Sequence, residues 1–259
     1  MFGLPQDING LLNYFLVVIR ISGVLFTAPV FGSNLVDTRL RLFISVVIGF
    51  CIYPNIEDVT LSNLNAIILI IVIVKELLIG VAMGLLALFM FVGVQFGGQV
   101  IGFQMGFGVV DIIDPQTNVQ TALISQFQNI IMILIFLVIG GHRILIEAMA
   151  TSFYMVPLGS FVFHHQSYLY LVKLFSNIFI TALQIVAPVF VTMIIAHTVM
   201  GIIGRLVPQI NLLIVGFPLQ IAVGLIMLLF SMQYFYVVFE QIMDSYFANI
   251  MDLFRMLGV

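Results

Sequence analysis

The chain has 259 residues, of which 63% are hydrophobic and 7% charged, and its net charge is −3. A soluble domain carries about a quarter charged residues, so this composition, with a mean hydropathy of +1.26, leaves too little polar surface for a water-exposed shell. The 8 basic residues are scattered, which gives no footprint for nucleic acid, and the single cysteine, Cys51, cannot form an internal disulfide.

The residues Met1 to Gln6 lack a basic n-region, so no cleaved signal peptide is expected. Beyond them, no Asp, Glu, Lys or Arg occurs in residues 77–110, 115–142, 148–172, 174–204 or 206–239. A bilayer-spanning helix needs about 20 predominantly apolar residues, and several of these runs exceed that. The chain therefore reads as an all-α integral membrane protein with six apolar segments, near 11–30, 40–54, 64–92, 123–140, 171–201 and 210–238.

The first segment carries an intramembrane charge, Arg20. The second is short and flanked by charge, and suits a hairpin arm supported by protein. The third carries Lys75 and Glu76, adjacent residues that point about 100° apart on a helix and cannot pair squarely with each other. Two readings of these charges stand: salt bridges to other helices, or an ion relay, for which Glu76 is the one carboxylate in the spans.

The third segment then runs into Gly80, Gly84, Gly93, Gly97, Gly98 and Gly102. Small residues at four-residue spacing let helix backbones approach closely in lipid; the competing reading is local flexibility. A helix over the whole of 77–110 would be roughly 50 Å long, against about 30 Å of hydrocarbon, so it is expected to bend, break or leave the membrane.

Between the third and fourth segments stands Gly106-Phe107-Gly108-Val109-Val110-Asp111-Ile112-Ile113-Asp114-Pro115. Asp114-Pro115 signals a turn and a helix start. An apolar loop at membrane depth is tolerated when it is buried in protein or lines a cavity; an ordinary interhelical loop is the alternative. Further on, Pro208 and Pro218 are expected to break any helix running from 171 to 238, with Arg205 beside the break at water or headgroups.

The tail, residues 239–257, places Phe239, Ile242, Met243, Tyr246, Phe247, Ile250, Phe254 and Leu257 on one helical face, opposite Glu240, Asp244, Asp252 and Arg255. That is an amphipathic helix, packed either on its own chain or on a partner. Orientation is not resolved by the basic residues. With six alternating spans, Arg39, Arg41 and Arg205 share one side while Arg143 and Lys173 share the other, so the positive-inside rule nearly cancels. His142, His164, His165 and His197 have no metal-ligand spacing, and no phosphate loop or nucleophile elbow is present. No enzyme activity, cofactor or metal is expected.

Several patterns together resemble the FliR family of flagellar biosynthesis proteins. They are Arg20-Ile-Ser-Gly23, Ala28-Pro29-Val-Phe31-Gly32, Lys75-Glu76-Leu-Leu-Ile-Gly80, Gly97-Gly98-Gln99 and Asp114-Pro115. The most specific is Val207-Pro208-Gln209-Ile210-Asn211 followed by Ile214-Val215-Gly216-Phe217-Pro218. The likeness runs from about residue 10 to 250 of a single 1–259 domain and is closer to the flagellar branch than to the injectisome one.

The resemblance implies a subunit of the type III export gate in the bacterial inner membrane, at the flagellar basal body. It implies assembly with FliP and FliQ homologues, contact with FlhB and FlhA homologues and with membrane lipid, and passage of unfolded export substrates. It further implies a FliP-like unit joined to a FliQ-like unit, hairpins that do not simply cross the bilayer, and a pore plug at roughly Gly106–Gln120. The reading that competes with it is a secondary transporter or small-solute channel with a site at a helix broken over 93–108.

Overall fold

The computed structural model describes residues 8–32, 36–56, 65–107, 121–161, 165–209 and 212–257. Among the described residues there is no strand. The helices are α1 (Ile8–Thr27), α2 (Thr38–Ile52), α3 (Ala66–Gln104), α4 (Thr121–Ile139), α5 (Gly141–Met155), α6 (His165–Leu206) and α7 (Leu212–Leu257), with one 3-10 turn at Tyr53–Asn55 after α2. Four of them, α1, α3, α6 and α7, are long and apolar enough to cross a membrane. The pair α4 and α5, separated by a break at Gly140, makes a fifth if counted as one span. The protein is an all-α integral membrane protein.

The glycine-rich stretch does not interrupt the third segment. α3 is one helix of 39 residues through Gln104, about 58 Å long, and it stops at Met105–Phe107. Glycine weakens a helix by up to ~1 kcal/mol relative to alanine, and close packing of the glycine faces offsets that. Within the 93–108 stretch, where the alternative reading expects a broken helix, α3 is unbroken through Gly93, Gly97, Gly98 and Gly102, and it ends at the turn Met105–Phe107.

Two further expectations are corrected in part. The break expected in the 171–238 run is present, with Pro208 in the turn between α6 and α7, but Pro218 lies inside α7. Its missing N–H frees a single carbonyl, that of Ile214, which a helix in a membrane protein tolerates. Pro188 sits inside α6 in the same way, and the Thr192 hydroxyl donates to the Pro188 carbonyl at 2.9 Å. The amphipathic tail is also no separate helix, because α7 runs unbroken for 46 residues to Leu257.

Contacts divide the chain into two compact units, Met1–Phe89 with Gly140–Phe175 and Asp244–Val259, and Met90–Ile139 with Ser176–Met243. In the first unit, α1 buries Leu16, Val17, Ile21, Val24 and Leu25, a face of three- and four-residue steps. α2 packs on α1. Asp37 caps α2 by accepting from the Arg39 N–H at 3.1 Å. Gly140, at φ +80°, opens α5, a conformation that favours glycine. The second unit has a core of Ile101, Met105, Ile124, Val189, Met193 and Leu228 with their neighbours.

Of the tail's apolar face, Phe239, Met243, Tyr246, Ile250 and Phe254 are buried. Within the first unit the Tyr246 hydroxyl donates to the Met83 carbonyl at 3.3 Å, and that of Tyr170 to Asn249 Oδ1 at 3.1 Å. The tail packs on its own chain.

Candidate functional site

In the first unit, backbone contact between α1 and α3 sets the geometry. A β-carbon at Gly80 would collide with the Arg20 carbonyl, and one at Gly84 with the Thr27 hydroxyl. Gly23 faces them from the other side with a little more room, 3.0 Å from the Leu77 carbonyl at the point a β-carbon would take. Two backbones this near bring the side chain one turn before Gly80 within reach of the other helix.

That side chain is Glu76. Arg20 Nε donates to Glu76 Oε2 at 2.5 Å, with 1% and 0% of the two side chains exposed. Arg20 Nη1 donates to the Ser152 carbonyl at 3.1 Å, the Ser152 hydroxyl at 3.3 Å and the Val156 carbonyl at 3.0 Å. The other carboxylate oxygen, Glu76 Oε1, accepts from the Gly159 N–H at 2.9 Å. The guanidinium also lies 4.3 Å from the centre of the Phe153 ring. Burying two ions costs several kcal/mol each, which their attraction offsets only when further hydrogen bonds engage the remaining polar atoms. Here α1, α3, α5 and the 156–159 turn supply those bonds, although Arg20 Nη2 has no hydrogen-bond partner among the described residues.

The second unit holds a neutral counterpart. Gln95 Nε2 donates to Asn129 Oδ1 at 2.9 Å, and the Ser125 hydroxyl donates to the Gln95 carbonyl at 2.9 Å. Gly98 lets α4 close on α3, since a β-carbon there would sit 2.6 Å from Ser125 Cα. Gly93 and Gly97 face α6 less tightly. Their β-carbons would lie 3.3 Å from the Ile178 carbonyl and 3.2 Å from a Val186 methyl. Gly102 is buried, and its carbonyl accepts from the Phe107 N–H at 3.2 Å.

That last bond ends α3. With Gly106 at φ +88° and its N–H donating to the Phe103 carbonyl at 3.1 Å, the terminus is a Schellman motif, in which glycine takes the left-handed position. The Phe217 ring lies 2.9 Å from where a Gly106 β-carbon would be, and Met105 fills the space beside Gly224. Phe107 is half-buried against the core of the second unit. The foot of the loop is thus anchored on α7 and on that core.

Of the loop residues singled out from sequence, Gly108, Val109, Val110, Asp111, Ile112, Ile113, Asp114 and Pro115 lie outside the described residues, as does Asn211. Arg205 is exposed in the last turn of α6. Pro208 and Gln209 form the exposed turn after it, while Gly216, Phe217 and Pro218 belong to α7. Lys75 is half-buried and takes no part in the Arg20 cluster. Sequence reasoning passed over Ser152, Val156 and Gly159, which contribute mainly backbone atoms and leave no side-chain signal. It also passed over Gln95, Ser125 and Asn129, whose signal was present: polar side chains inside charge-free runs are candidates for interhelical hydrogen bonds.

The family model described as bacterial export proteins, family 1, matches residues 11–246. The flagellar biosynthetic protein FliR of Bacillus subtilis (strain 168) is 32% identical over 95% of this chain and 96% of its own length. The FliR protein of Escherichia coli (strain K12) is 29% identical over 85% and 84%. The Yop proteins translocation protein T of Yersinia pestis is 25% identical over 86% and 87%.

Proposed function

The chain belongs to the bacterial export proteins, family 1, and from that membership we propose that it is a structural and gating subunit of the flagellar type III protein export gate. In this reading it lines and closes a pore through which unfolded flagellar substrates pass, in the cell inner membrane at the basal body. FliP and FliQ homologues complete the pore, FlhB and FlhA homologues dock on it, and a FliP-like and a FliQ-like portion make up the chain. The match over residues 11–246 carries the reading, and relatives named for flagellar biosynthesis and for protein translocation support it.

The gate itself is assigned to residues 106–115. A pore wide enough for an unfolded chain needs a seal against ions when idle, and an apolar constriction seals by dewetting. Phe107, Val109, Val110, Ile112 and Ile113 suit that task by composition, while Asp111 and Asp114 anchor the loop or face water. The anchored foot at Gly106 and Phe107 supports a loop held firmly at its start. Deleting 108–113 leaves the protein assembled but makes cells carrying the complex leak small ions. A deletion that assembles and stays as tight as the parent rules the loop out as the seal.

A further inference from the structure

The two ions of the first unit hold opposite ends of one turn. α5 ends at Met155, and Arg20 Nη1 reaches its last carbonyls, Ser152 at 3.1 Å and Val156 at 3.0 Å. The orphan carbonyls at a helix C-terminus, and the negative end of its dipole, favour a cation there. Three residues further on, the Gly159 N–H donates to Glu76 Oε1 at 2.9 Å. The cation thus holds the carbonyl that opens the turn, and the anion holds an N–H near its close.

That turn has few bonds of its own. The Ser160 N–H and hydroxyl both donate to the Pro157 carbonyl, at 3.1 and 2.8 Å. Among the described residues the Val156 carbonyl and the Gly159 N–H have no partners besides the two ions. Val156, Leu158 and Phe161 are nevertheless buried, and an unpaired backbone group in such surroundings costs about as much as a lost hydrogen bond. Gly159 stands at φ +77°, yet a β-carbon there would meet nothing nearer than the Val72 methyls at 3.8 and 3.9 Å. Glycine therefore serves the path of the chain here, the path that presents its N–H to the carboxylate.

We propose that Arg20 and Glu76 form a polarised clamp on the turn that leads from α5 into α6. The guanidinium caps α5, the carboxylate fixes Gly159, and the turn takes its fold from a pair of this polarity. An ion pair that merely ties α1 to α3 works equally well when reversed. A clamp does not, because a carboxylate on α1 would face the Ser152 and Val156 carbonyls, against the dipole of α5. A guanidinium on α3 would likewise meet the Gly159 N–H with donors alone.

The test uses the full-length chain purified from membranes in mild detergent, with hydrogen exchange read at single amides by mass spectrometry. Arg20→Met with Glu76→Leu is expected to leave the chain inserted and protease-resistant. Exchange at Gly159 rises at least about tenfold in that variant, as loss of a hydrogen bond to a charged group implies. Amides of α1 and α3 around the pair change by less than about twofold, since the opening is local. Glu76→Asp keeps both charges but withdraws the carboxylate by one methylene; it is expected to raise Gly159 exchange too, and it decides the matter where the neutral pair does not fold. The reversed pair, Arg20→Glu with Glu76→Arg, is expected to melt below the neutral pair. A reversed pair as stable as the parent overturns the clamp. So does a Gly159 amide that none of these changes moves, or a rise spread evenly over α1, α3 and the turn.

Discussion

The two halves of α3 solve one problem in different ways. Near Glu76 it joins its neighbours through a fully buried ion pair whose oxygens and most of whose N–H groups are engaged. Near Gln95 it joins them through amide and hydroxyl groups that are only part-buried. The glycines divide by the helix they face. Gly80 and Gly84 meet α1 backbone or a hydroxyl with no room to spare, Gly98 meets α4 backbone at 2.6 Å, and Gly93 and Gly97 meet α6 at 3.2 Å or more. A charged node demands rigid, complete surroundings, because one missing partner leaves an ion in low dielectric. A neutral node loses less when one group is removed, since its other groups find new partners.

The largest effect that would break this contrast is removal of one ion. Glu76→Leu is expected to destabilise the folded chain in detergent by about 3–5 kcal/mol, because Arg20 is then buried alone. Adding Arg20→Met to it recovers most of that loss. Reversible denaturation in mixed detergent measures both, and strictly additive losses would mean that the two residues do not act as a pair. Next comes the packing around the node. Gly80→Ala must displace the Arg20 carbonyl, an overpacking of about 1–3 kcal/mol, whereas Gly97→Ala needs only a small shift of a Val186 methyl. Equal losses of thermal stability at the two glycines would erase the distinction between the tight contact with α1 and the looser one with α6.

The neutral node sharpens the comparison from below. Gln95→Leu or Asn129→Leu is expected to cost around 0.6 kcal/mol and no more than about 1.7. A loss as large as that of Glu76→Leu would show that charge is not what sets the first half apart. Smallest of all is the exposed pair Arg255–Asp252, with 72% and 48% of the two side chains open. Arg255→Gln should change stability by less than about 0.5 kcal/mol at physiological salt, and a change above 1 kcal/mol in the same assay would point to a further contact.

Much of the fold was legible from charge-free runs, because an apolar stretch of 20 or more residues has few homes other than a membrane helix. The tail's face was legible for the same reason of period, with Phe239, Met243, Tyr246, Ile250 and Phe254 falling inward. Less legible were the breaks. The junction at Gly140 and the short helix α5 carry a modest signal, one glycine pair ahead of His142 and Arg143. Pro218 carried a strong signal that tertiary packing overrode. At the site, Arg20 and Glu76 stood out as costly charges, yet nothing in the sequence paired them across 56 residues. Partner choice there depends on Gly80 admitting the α1 backbone, which is a property of two helices together.

That pairing also sets a schedule. Arg20 is made early, Glu76 follows 56 residues later, and Ser152 and Val156 come 132 and 136 residues after Arg20. At the usual pace of about 5–20 residues per second, Arg20 waits roughly 7 to 27 seconds between its synthesis and that of the last of its carbonyl partners, Val156. Through that interval α1 carries an incompletely matched charge into the insertion machinery, and full burial of its inner face must wait for α5 to arrive. The order of the ribosome's work, as much as the finished packing, is written into where those partners sit along the chain.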